Sequence, residues 1–164
     1  MDIASVTLRK PGAEDGYPVN KLISETPELD SNSCYCNLLQ CSHFSDTSIV
    51  AEYDGDVVGF ISGYHKPQST STLFIWQVAI ASKARGQGLA SKMLHVLIER
   101  KDNVLVSHIE TTITAENSAS WALFNRLAKD RDTTLERSLI FNRADHFNDK
   151  HDSEFLARIG PLLR

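Results

Sequence analysis

The pattern of apolar and polar positions singles out residues 73–98. Every residue of Leu73–Ile80 except Gln77 is apolar, which predicts a strand buried on both faces. A polar turn, Lys83–Gly88, follows this strand. From Leu89 the apolar period becomes that of a helix, because large apolar side chains recur three or four residues apart. The members of this predicted helical face are Leu89, Ala90, Met93, Leu94, Val96, Leu97 and Ile98.

The chain before this stretch predicts two helices and several strands. Asp54-Gly55 joins two runs rich in β-forming residues, which is a strong β-hairpin signal. Either Asp30 or Ser33 can cap a helix that begins at Cys34. Alternation, helical spacing and chain breakers set the other boundaries. The predicted elements are a strand over Ile3–Arg9, helices over Glu14–Ser24 and Cys34–His43, strands over Ser48–Tyr53 and Asp56–Tyr64, and a loop over Pro67–Thr72.

The remainder of the chain completes a mixed α/β pattern. The helix from Leu89 is expected to end near Arg100-Lys101, since cations suit a helix C-terminus. The later predicted elements are a strand over Val104–Thr114, a helix capped by Asn117 and running through Lys129, a strand over Thr133–Asn142, a polar loop over Arg143–Ser153 and a strand over Glu154–Leu162. The order βααβββαβαββ predicts an α/β (α+β) fold, with a central mixed sheet flanked by helices. We expect a single domain over residues 1–164.

Composition and charge exclude several classes of protein. The formal net charge is −4, which argues against a nucleic-acid binder. No apolar run approaches the length of a membrane span, and the opening Met1-Asp2 does not read as a signal peptide. The three cysteines are odd in number and clustered, so a disulfide framework is not expected. We therefore expect a cytoplasmic protein with reduced thiols.

The cluster of Cys34, Cys36, Cys41 and His43 does not predict a zinc site. Its spacing, C-x-C-x4-C-x-H, is not among the usual structural zinc patterns. On one helix, Cys34 and Cys36 would also point about 200° apart. We expect no metal and interpret the cysteines as small buried thiols.

The turn Lys83–Gly88 is a candidate site for an anion. Gly86 and Gly88 have no Cβ, so a ligand can approach the backbone closely. The start of the next helix offers unpaired N–H donors and the positive end of a dipole. Together with the cations Lys83 and Arg85, these features favour a phosphate group. An ordinary turn followed by a helix cap is the alternative interpretation.

Two common phosphate-binding motifs do not fit this turn. A P-loop needs Lys-Ser/Thr after its last glycine, whereas Leu89-Ala90 stand there. A dinucleotide fold needs a third glycine, and its position holds Ser91. Lys83–Gly88 instead resembles the Q/R-x-x-G-x-G/A loop of the GCN5-related N-acetyltransferases (the GNAT superfamily), which holds the pyrophosphate of acetyl-CoA. Lys83 departs mildly from the usual Gln or Arg.

The resemblance extends over nearly the whole chain. The segments ELDSNSCYCNLLQCSHFSDTSIVAE, VGFISGYHKP, TLFIWQVAI, RGQGLASKML, ETTIT and ENSASWALF resemble the family of L-2,4-diaminobutyrate acetyltransferases. Those enzymes acetylate the γ (N4) amine of L-2,4-diaminobutyrate in the pathway to ectoine, a compatible solute. The resemblance implies a GNAT fold, acetyl-CoA as co-substrate and a homodimer. Related acetyltransferases that act on polyamines, aminoglycosides or peptide amines, and a CoA-binding regulator without activity, are the alternatives.

The resemblance also implies where the two substrates bind. Acetyl-CoA is expected between the strands that carry Trp76 and Glu110, which splay apart in the family. The implied cofactor contacts are Gln77, Val78, Ala79, Ile80, Lys83, Ala84, Arg85, Gly86, Gln87, Gly88, Leu89, Ala90, Asn117, Ser120 and Phe124. The implied substrate contacts are Asp30, Asn32, Ser33, Tyr35, Trp76 and Glu110.

The catalytic groups are harder to assign. Many GNAT enzymes carry a tyrosine that reprotonates the departing thiolate, in the motif N-x-x-A-x-x-L-Y, but here the tyrosine position is Phe124. Either another group must act, for which Tyr35 and His151 are the candidates, or the thiolate leaves unprotonated. An exposed loop histidine is the alternative for His151. Glu110, inside a β-branched strand, is costly to bury unless it is paired, and we expect it to bind a substrate ammonium group or to take part in catalysis.

Overall fold

The structure, a computed structural model, describes residues 1–163. Its strands belong to one mixed sheet in the order β1-β2-β3-β4-β5-β7-β6, in which β4 and β5 are parallel. The elements are β1 (Thr7–Arg9), α1 (Gly16–Ser24), α2 (Cys34–Ser42), β2 (Ile49–Tyr53), β3 (Asp56–Lys66), β4 (Ser69–Ile80), α3 (Leu89–Ile98), β5 (His108–Thr114), α4 (Ser118–Asp130), β6 (Thr134–Phe141), α5 (Arg143–Phe147) and β7 (Glu154–Gly160). The predicted α/β fold class is confirmed, with one additional short helix, α5.

The chain divides into two compact units, which we describe separately. The first unit comprises residues 1–64 and 75–104, and the second comprises residues 65–74 and the chain from Leu105 onward. The first unit has a core of residues from its helices and strands: Val19, Leu22, Ile23, Cys41, Val50, Phe60 and Ala79. In the second unit the large buried side chains include Leu73, Ile109, Ile113, Phe124, Leu127 and Ile159. No helix within residues 1–163 is both long enough and apolar enough to cross a lipid bilayer.

Local sequence signals placed several elements correctly. Asp54 (φ 56°) and Gly55 (φ 82°) are both left-handed, as the two central residues of a type I′ hairpin turn require. The side chain of Ser33 accepts a hydrogen bond from the N–H of Cys36 and caps α2. Asn117 caps α4 in the same way, by accepting from the N–H of Ser120 at 3.1 Å. The predicted hairpin and both helix starts are therefore confirmed.

Other predicted boundaries were wrong, mostly where polar side chains offer the backbone alternative hydrogen bonds. Asp2 accepts from the N–H of Ala4 at 2.9 Å, so residues 3–5 form a 3₁₀ turn and the first strand begins only at Thr7. The segment Pro67–Thr72 is not a loop, because β4 already begins at Ser69. Arg143 starts the helix α5, which Asn142 caps. The structure also shortens the helix predicted to Arg100-Lys101 and the strands predicted over residues 104–114 and 154–162.

Two side chains that we expected to be buried are exposed. Trp76 lies within β4, yet 48% of its surface is exposed, so this strand is not buried on both faces along its whole length. Val96 is 37% exposed. The buried face of α3 is centred on Met93, Leu94 and Leu97, and Val96 lies at the edge of that arc at 100° per residue.

A buried acid joins β1 to the start of α1. Arg9 donates to both carboxylate oxygens of Asp15, at 2.7 and 2.8 Å, and also to Glu52. The N–H of Gly12 donates to Asp15 at 2.7 Å. Only 6% of the Asp15 side chain is exposed. The hydrogen bonds from Arg9 lower the pKa of Asp15 below its usual value, although burial acts in the opposite direction.

We expect Asp15→Asn to lower the free energy of unfolding by about 1–3 kcal/mol at pH 7. Breaking a buried ion pair usually costs more, but Arg9 is partly exposed. Because the folded pKa of Asp15 is lowered, its stabilisation is present above the unfolded pKa of about 3.9 and is lost as pH falls through the folded pKa. Urea unfolding measures this. The difference in the free energy of unfolding between Asp15→Asn and wild type should decrease as the pH is lowered from 7 to 3.

Asp46→Asn is the matched control, since Asp46 pairs with Lys10 but is 67% exposed. Its effect should stay below about 1 kcal/mol. If Asp15→Asn and Asp46→Asn lowered the free energy of unfolding equally, this would contradict a stabilising role for the buried Asp15.

Candidate active site

The turn between β4 and α3 owes its shape to two glycines. Gly86 (φ 72°) and Gly88 (φ 78°) are both left-handed, and Gly88 directly precedes α3. Side chains with a Cβ rarely adopt this conformation. The chain itself does not crowd the turn, because a Cβ built on either glycine would meet no atom within 4 Å. The glycines are therefore required by backbone conformation, and they leave the backbone N–H groups approachable from outside.

Both cations of the turn have carboxylate partners that the sequence did not indicate. Arg85 donates to the backbone oxygen of Ile80 at 3.1 Å and to both carboxylate oxygens of Glu28 at 3.2 Å. Lys83 lies 3.4 Å from Asp56. The Arg85 guanidinium lowers the pKa of Glu28. These side chains are largely exposed, and exposed ion pairs contribute little, so a more highly charged anion can compete for both cations.

These features fit a diphosphate group. The helix α3 is ten residues long, and its first turn brings backbone donors and a dipole to the same end as the two cations. The predicted contacts Gln77, Val78, Ala79 and Ile80 lie on β4, just before the turn. Ala84 ends a short 3₁₀ turn, Gln87 donates to the backbone oxygen of Lys83 at 3.0 Å, and Leu89 and Ala90 open α3.

The polar segment 30–33 is fastened to β4 by Gln77. The side-chain amide of Gln77 donates to the backbone oxygen of Asp30 at 3.1 Å and accepts from the side chain of Asn32 at 2.8 Å. Asp30 is exposed and Asn32 is half-buried. Of the residues predicted to bind substrate, Asp30 and Asn32 are thus held beside one strand residue that was predicted to contact the cofactor.

A chain of half-buried and buried amides also holds this segment. Asn20 on α1 donates to the backbone oxygen of Asn32 and to the side chain of Asn37, both at 2.9 Å. Asn37 in turn donates to Gln40 at 2.8 Å. Asn37 and Gln40 are almost fully buried. Because buried amides are costly to leave unpaired, this chain fixes the position of Asn32 relative to α1 and α2.

The aromatic side chains predicted for the substrate site are open to solvent. Tyr35, in the first turn of α2, is 69% exposed. Trp76 stands edge-on to Tyr64, with ring centroids 6.2 Å apart and an interplanar angle of 88°. The edge contact leaves 48% of the Trp76 surface exposed. The hydroxyl of Ser33 caps α2, as the sequence predicted for either Asp30 or Ser33.

In the second unit, Glu110 is buried and doubly paired. One of its oxygens accepts from Lys66 at 2.6 Å and the other from Arg158, which lies directly opposite on β7. Burial acts to raise the pKa of Glu110, but the hydrogen bonds from Lys66 and Arg158 outweigh it, and the net pKa is lowered. At neutral pH Glu110 is therefore a carboxylate with both oxygens occupied, which is a poor proton acceptor.

His151 and α4 carry the other predicted residues of this unit. His151 donates from Nδ1 to the backbone oxygen of Asp152 at 2.6 Å, because a carbonyl can only accept. In the neutral ring Nε2 is then the accepting nitrogen, and it lies 4.0 Å from Glu154. Asn117 and Ser120 form the cap of α4, whereas the ring of Phe124 is only 2% exposed.

The cysteine cluster shows no sign of metal chemistry. Within residues 1–163, no group of three or more His, Cys, Asp or Glu side chains is placed to hold a metal ion. All three cysteines are free thiols, of which only Cys41 is buried. Burial, followed by the charge of Asp15, raises the pKa of Cys41 to about 12. The prediction of buried thiols was therefore right for Cys41 and wrong for the half-buried Cys34 and Cys36.

Sequence reasoning missed the partners of several predicted residues. Glu110 was flagged as needing a partner, but nothing identified Lys66 or Arg158, which are 44 and 48 residues away. Likewise, nothing local linked Asn20 to the polar segment or Glu28 to the phosphate turn. The only usable signal in the sequence was Glu110 itself, because a carboxylate in a β-branched strand is costly to bury without a partner.

Comparisons with known proteins agree with the expected family. A model of the acetyltransferase (GNAT) family matches residues 16–128. An L-2,4-diaminobutyric acid acetyltransferase of Methylotuvimicrobium alcaliphilum is 52% identical over 96% of this chain and 91% of its own length. One of Vibrio parahaemolyticus is 50% identical over 93% of this chain and 84% of its own.

A solved structure resembles the whole chain. It is the diaminobutyrate acetyltransferase of Paenibacillus lautus in complex with its substrate L-2,4-diaminobutyric acid and coenzyme A. It superposes with a TM-score of 0.92 at 40% identity, over 97% of this chain and 96% of that one.

If the turn Lys83–Gly88 binds the diphosphate of coenzyme A, two substitutions should change its affinity for coenzyme A, measured by calorimetry, in opposite directions. Glu28→Gln removes a competitor for Arg85 and should tighten binding by at most about fivefold, the value of one exposed ion pair. Gly86→Val places a β-branched residue at positive φ and should weaken binding at least about tenfold.

Glu25→Gln is the matched control for charge, because Glu25 is an exposed acid of the same unit that pairs weakly with Lys21. If Glu28→Gln bound coenzyme A no better than Glu25→Gln, or if Gly86→Val bound it normally, the turn would not be the phosphate site.

Proposed function

Because the chain belongs to the acetyltransferase (GNAT) family, and its relatives along nearly the whole chain are diaminobutyrate acetyltransferases, we propose that it acetylates L-2,4-diaminobutyrate. The acetyl group passes from acetyl-CoA to the γ (N4) amine by direct attack of the amine on the thioester. The product is N4-acetyl-L-2,4-diaminobutyrate, a step of ectoine biosynthesis. The observation that carries the proposal is the 0.92 TM-score to an enzyme solved with this substrate and coenzyme A.

The reaction requires a neutral amine. An aliphatic amine has a pKa near 10.4, so less than about 0.1% of it is neutral at pH 7. The protein must accept a proton and hold the two reactants in line. A general base typically contributes about 10² to 10⁴ in rate, and alignment contributes several kcal/mol more. The oxyanion that develops on the thioester needs fixed donors, for which the backbone N–H groups of Val78 and Ala79 are the proposed source.

His151 is the proposed proton acceptor. Its Nδ1 is committed to the backbone oxygen of Asp152, which assigns the accepting role to Nε2. The carboxylate of Glu154, 4.0 Å from Nε2, stabilises the ring once it is charged. Tyr35 is the proposed donor to the departing thiolate, because the position usually held by a catalytic tyrosine carries the buried Phe124. The phenolic O–H of Tyr35 is a hydrogen-bond donor.

The substrate's charged amines are proposed to meet the polar segment. The Asp30 carboxylate is exposed, and Gln77 holds its backbone, so the carboxylate is accessible to an ammonium group of the substrate. Trp76 supplies an apolar wall for the short methylene chain. Asn32 and Ser33 complete the proposed contacts.

We also propose that the protein is a single catalytic domain, that it forms a homodimer and that it is located in the cytoplasm. The family model spans residues of both compact units, which supports one catalytic domain over residues 1–164. Free thiols and the use of acetyl-CoA support a cytoplasmic location. A homodimer is supported by β6, which ends the strand order and exposes Leu139, Ile140 and Phe141. Apolar side chains grouped on an exposed edge favour association.

The proposed activity can be read directly by following free thiol while the protein, acetyl-CoA and a panel of amines react. L-2,4-diaminobutyrate should give the highest kcat/KM, above polyamines and aminoglycosides, and mass spectrometry should place the acetyl group on N4. Preference for a polyamine or an aminoglycoside would contradict the substrate, and coenzyme A binding without thiol release would indicate a regulator.

In the same assay, Asp30→Ala and Asp30→Asn should each lower kcat/KM for diaminobutyrate by about tenfold or more, since a charged hydrogen bond is lost. The exposed neighbour offers a control, Ser31→Ala, which should behave as wild type. An unchanged kcat/KM for both Asp30 variants would remove Asp30 from the site.

Light scattering tests the dimer. The wild type should have twice the mass of one chain, and Leu139→Asp should shift it toward the monomer because it places a charge on the proposed interface. Leu105, which is 83% exposed, offers a matched control in Leu105→Asp. A monomeric wild type, or dissociation by the control alone, would argue against β6 as the interface.

A further inference from the structure

The ion-pair cluster of Lys66, Glu110 and Arg158 has no role in the proposal so far. Lys66 is the last residue of β3, Glu110 lies in β5, and Arg158 lies in β7. The three residues belong to the second unit. Only 4% of the Glu110 side chain is exposed, whereas Lys66 and Arg158 are 34% and 36% exposed. The part of the cluster that a ligand can reach is therefore cationic.

The two cations keep donors to spare. An ammonium group has three N–H donors and a guanidinium has five. Lys66 and Arg158 each direct one recorded hydrogen bond to Glu110. Among the residues that the structure describes, Glu110 is also the only ion-pair partner of either. Two cations around one buried carboxylate leave one positive charge and several donors facing outward.

The neighbouring titratable groups do not cancel this charge at short range. His108 lies two residues from Glu110 on β5; burial, and then the charge of Arg158, lower its pKa, so the ring is neutral at pH 7. Glu136 lies opposite Arg158 on β6, but it is exposed, and water screens its charge. No ion pair joins it to either cation within residues 1–163.

This arrangement is unsuited to an ammonium group. Both oxygens of Glu110 are already bonded, so an ammonium ligand would have to displace Lys66 or Arg158 and would meet the remaining cation. A carboxylate has the opposite requirements, because it carries negative charge and only accepts hydrogen bonds. The chemistry of the cluster therefore selects an anion with two acceptor oxygens.

We propose that Lys66 and Arg158 bind the α-carboxylate of the amino-acid substrate, and that Glu110 is a positioning residue that holds the two cations in place. This rests on the proposed function and adds the group by which the enzyme would distinguish a diamino acid from a simple diamine. It reassigns Glu110, which the sequence had led us to expect at a substrate ammonium group. Selectivity follows because a diamine without a carboxylate leaves both cations without their anion.

The test compares two substrates that differ only in the carboxylate. The decarboxylated analogue of L-2,4-diaminobutyrate is 1,3-diaminopropane. We expect Lys66→Met to lower kcat/KM for diaminobutyrate by about tenfold or more and to leave that for diaminopropane within about twofold. Lys66→Arg, which keeps the charge, should recover most of the activity. The KM for acetyl-CoA should not change, and Lys150→Met, at an exposed lysine of the same unit, should match wild type.

Several results would overturn the inference. If Lys66→Met lowered kcat/KM equally for diaminobutyrate and diaminopropane, the role of Lys66 would be purely structural. A lower KM for diaminobutyrate in Lys66→Met would mean that Lys66 occupies the place of a substrate ammonium group. An unchanged kcat/KM for diaminobutyrate would exclude contact with the substrate.

Calorimetric binding of diaminobutyrate separates this inference from the proposed function. If wild type acetylated neither amine, the proposed function would fail, but weaker binding to Lys66→Met than to wild type would still support the carboxylate site. Equal binding to the two proteins would refute it.

Discussion

The backbone conformation of the turn between β4 and α3 is the constraint on which the proposed chemistry depends. Two left-handed residues, Gly86 and Gly88, bring the chain from a strand into a ten-residue helix within a few positions. Glycine adopts this conformation at no steric cost, whereas residues with a Cβ rarely do. The turn then offers backbone donors, a helix dipole and two cations at one place. The cations are already paired with Glu28 and Asp56, and exposed pairs of this kind contribute little stability.

The side chains that hold the segment 30–33 beside this turn are neutral amides rather than charged groups. Gln77 and Asn20 hold the segment 30–33 through side-chain amides, which are cheaper to bury than ions. Asp30 is left exposed at the surface of that segment. In the second unit, Glu110 is both charged and buried, and Lys66 and Arg158 compensate its charge.

The parts of the fold that the sequence predicted correctly are those decided by neighbours in the chain. The type I′ turn at Asp54-Gly55, the caps at Ser33 and Asn117 and the strand-to-helix change at Leu89 all depend on residues a few positions apart. The start of β4 was missed because Ser69 and its polar neighbours resemble a loop. Pairing with other strands decides their conformation, and propensity alone does not describe pairing.

The difference between local and long-range contacts also explains which features of the site could be predicted. The phosphate turn is local, and family resemblance supplied the remaining residues, but their partners are distant in sequence. Asn32 and Gln77 are 45 residues apart, and Glu110 and Arg158 are 48 apart. The burial of Glu110 indicated that some cation must exist without indicating which one. Neither the exposure of Trp76 within an apolar strand nor its contact with Tyr64 is encoded by a local pattern.

A crystal structure of the protein with coenzyme A and L-2,4-diaminobutyrate tests the central claim most directly. The account predicts the diphosphate against the backbone N–H groups of residues 86–90, with Arg85 turned from Glu28 toward it. A nucleotide bound elsewhere, with the Arg85–Glu28 pair intact and this turn without phosphate contacts, would contradict the account.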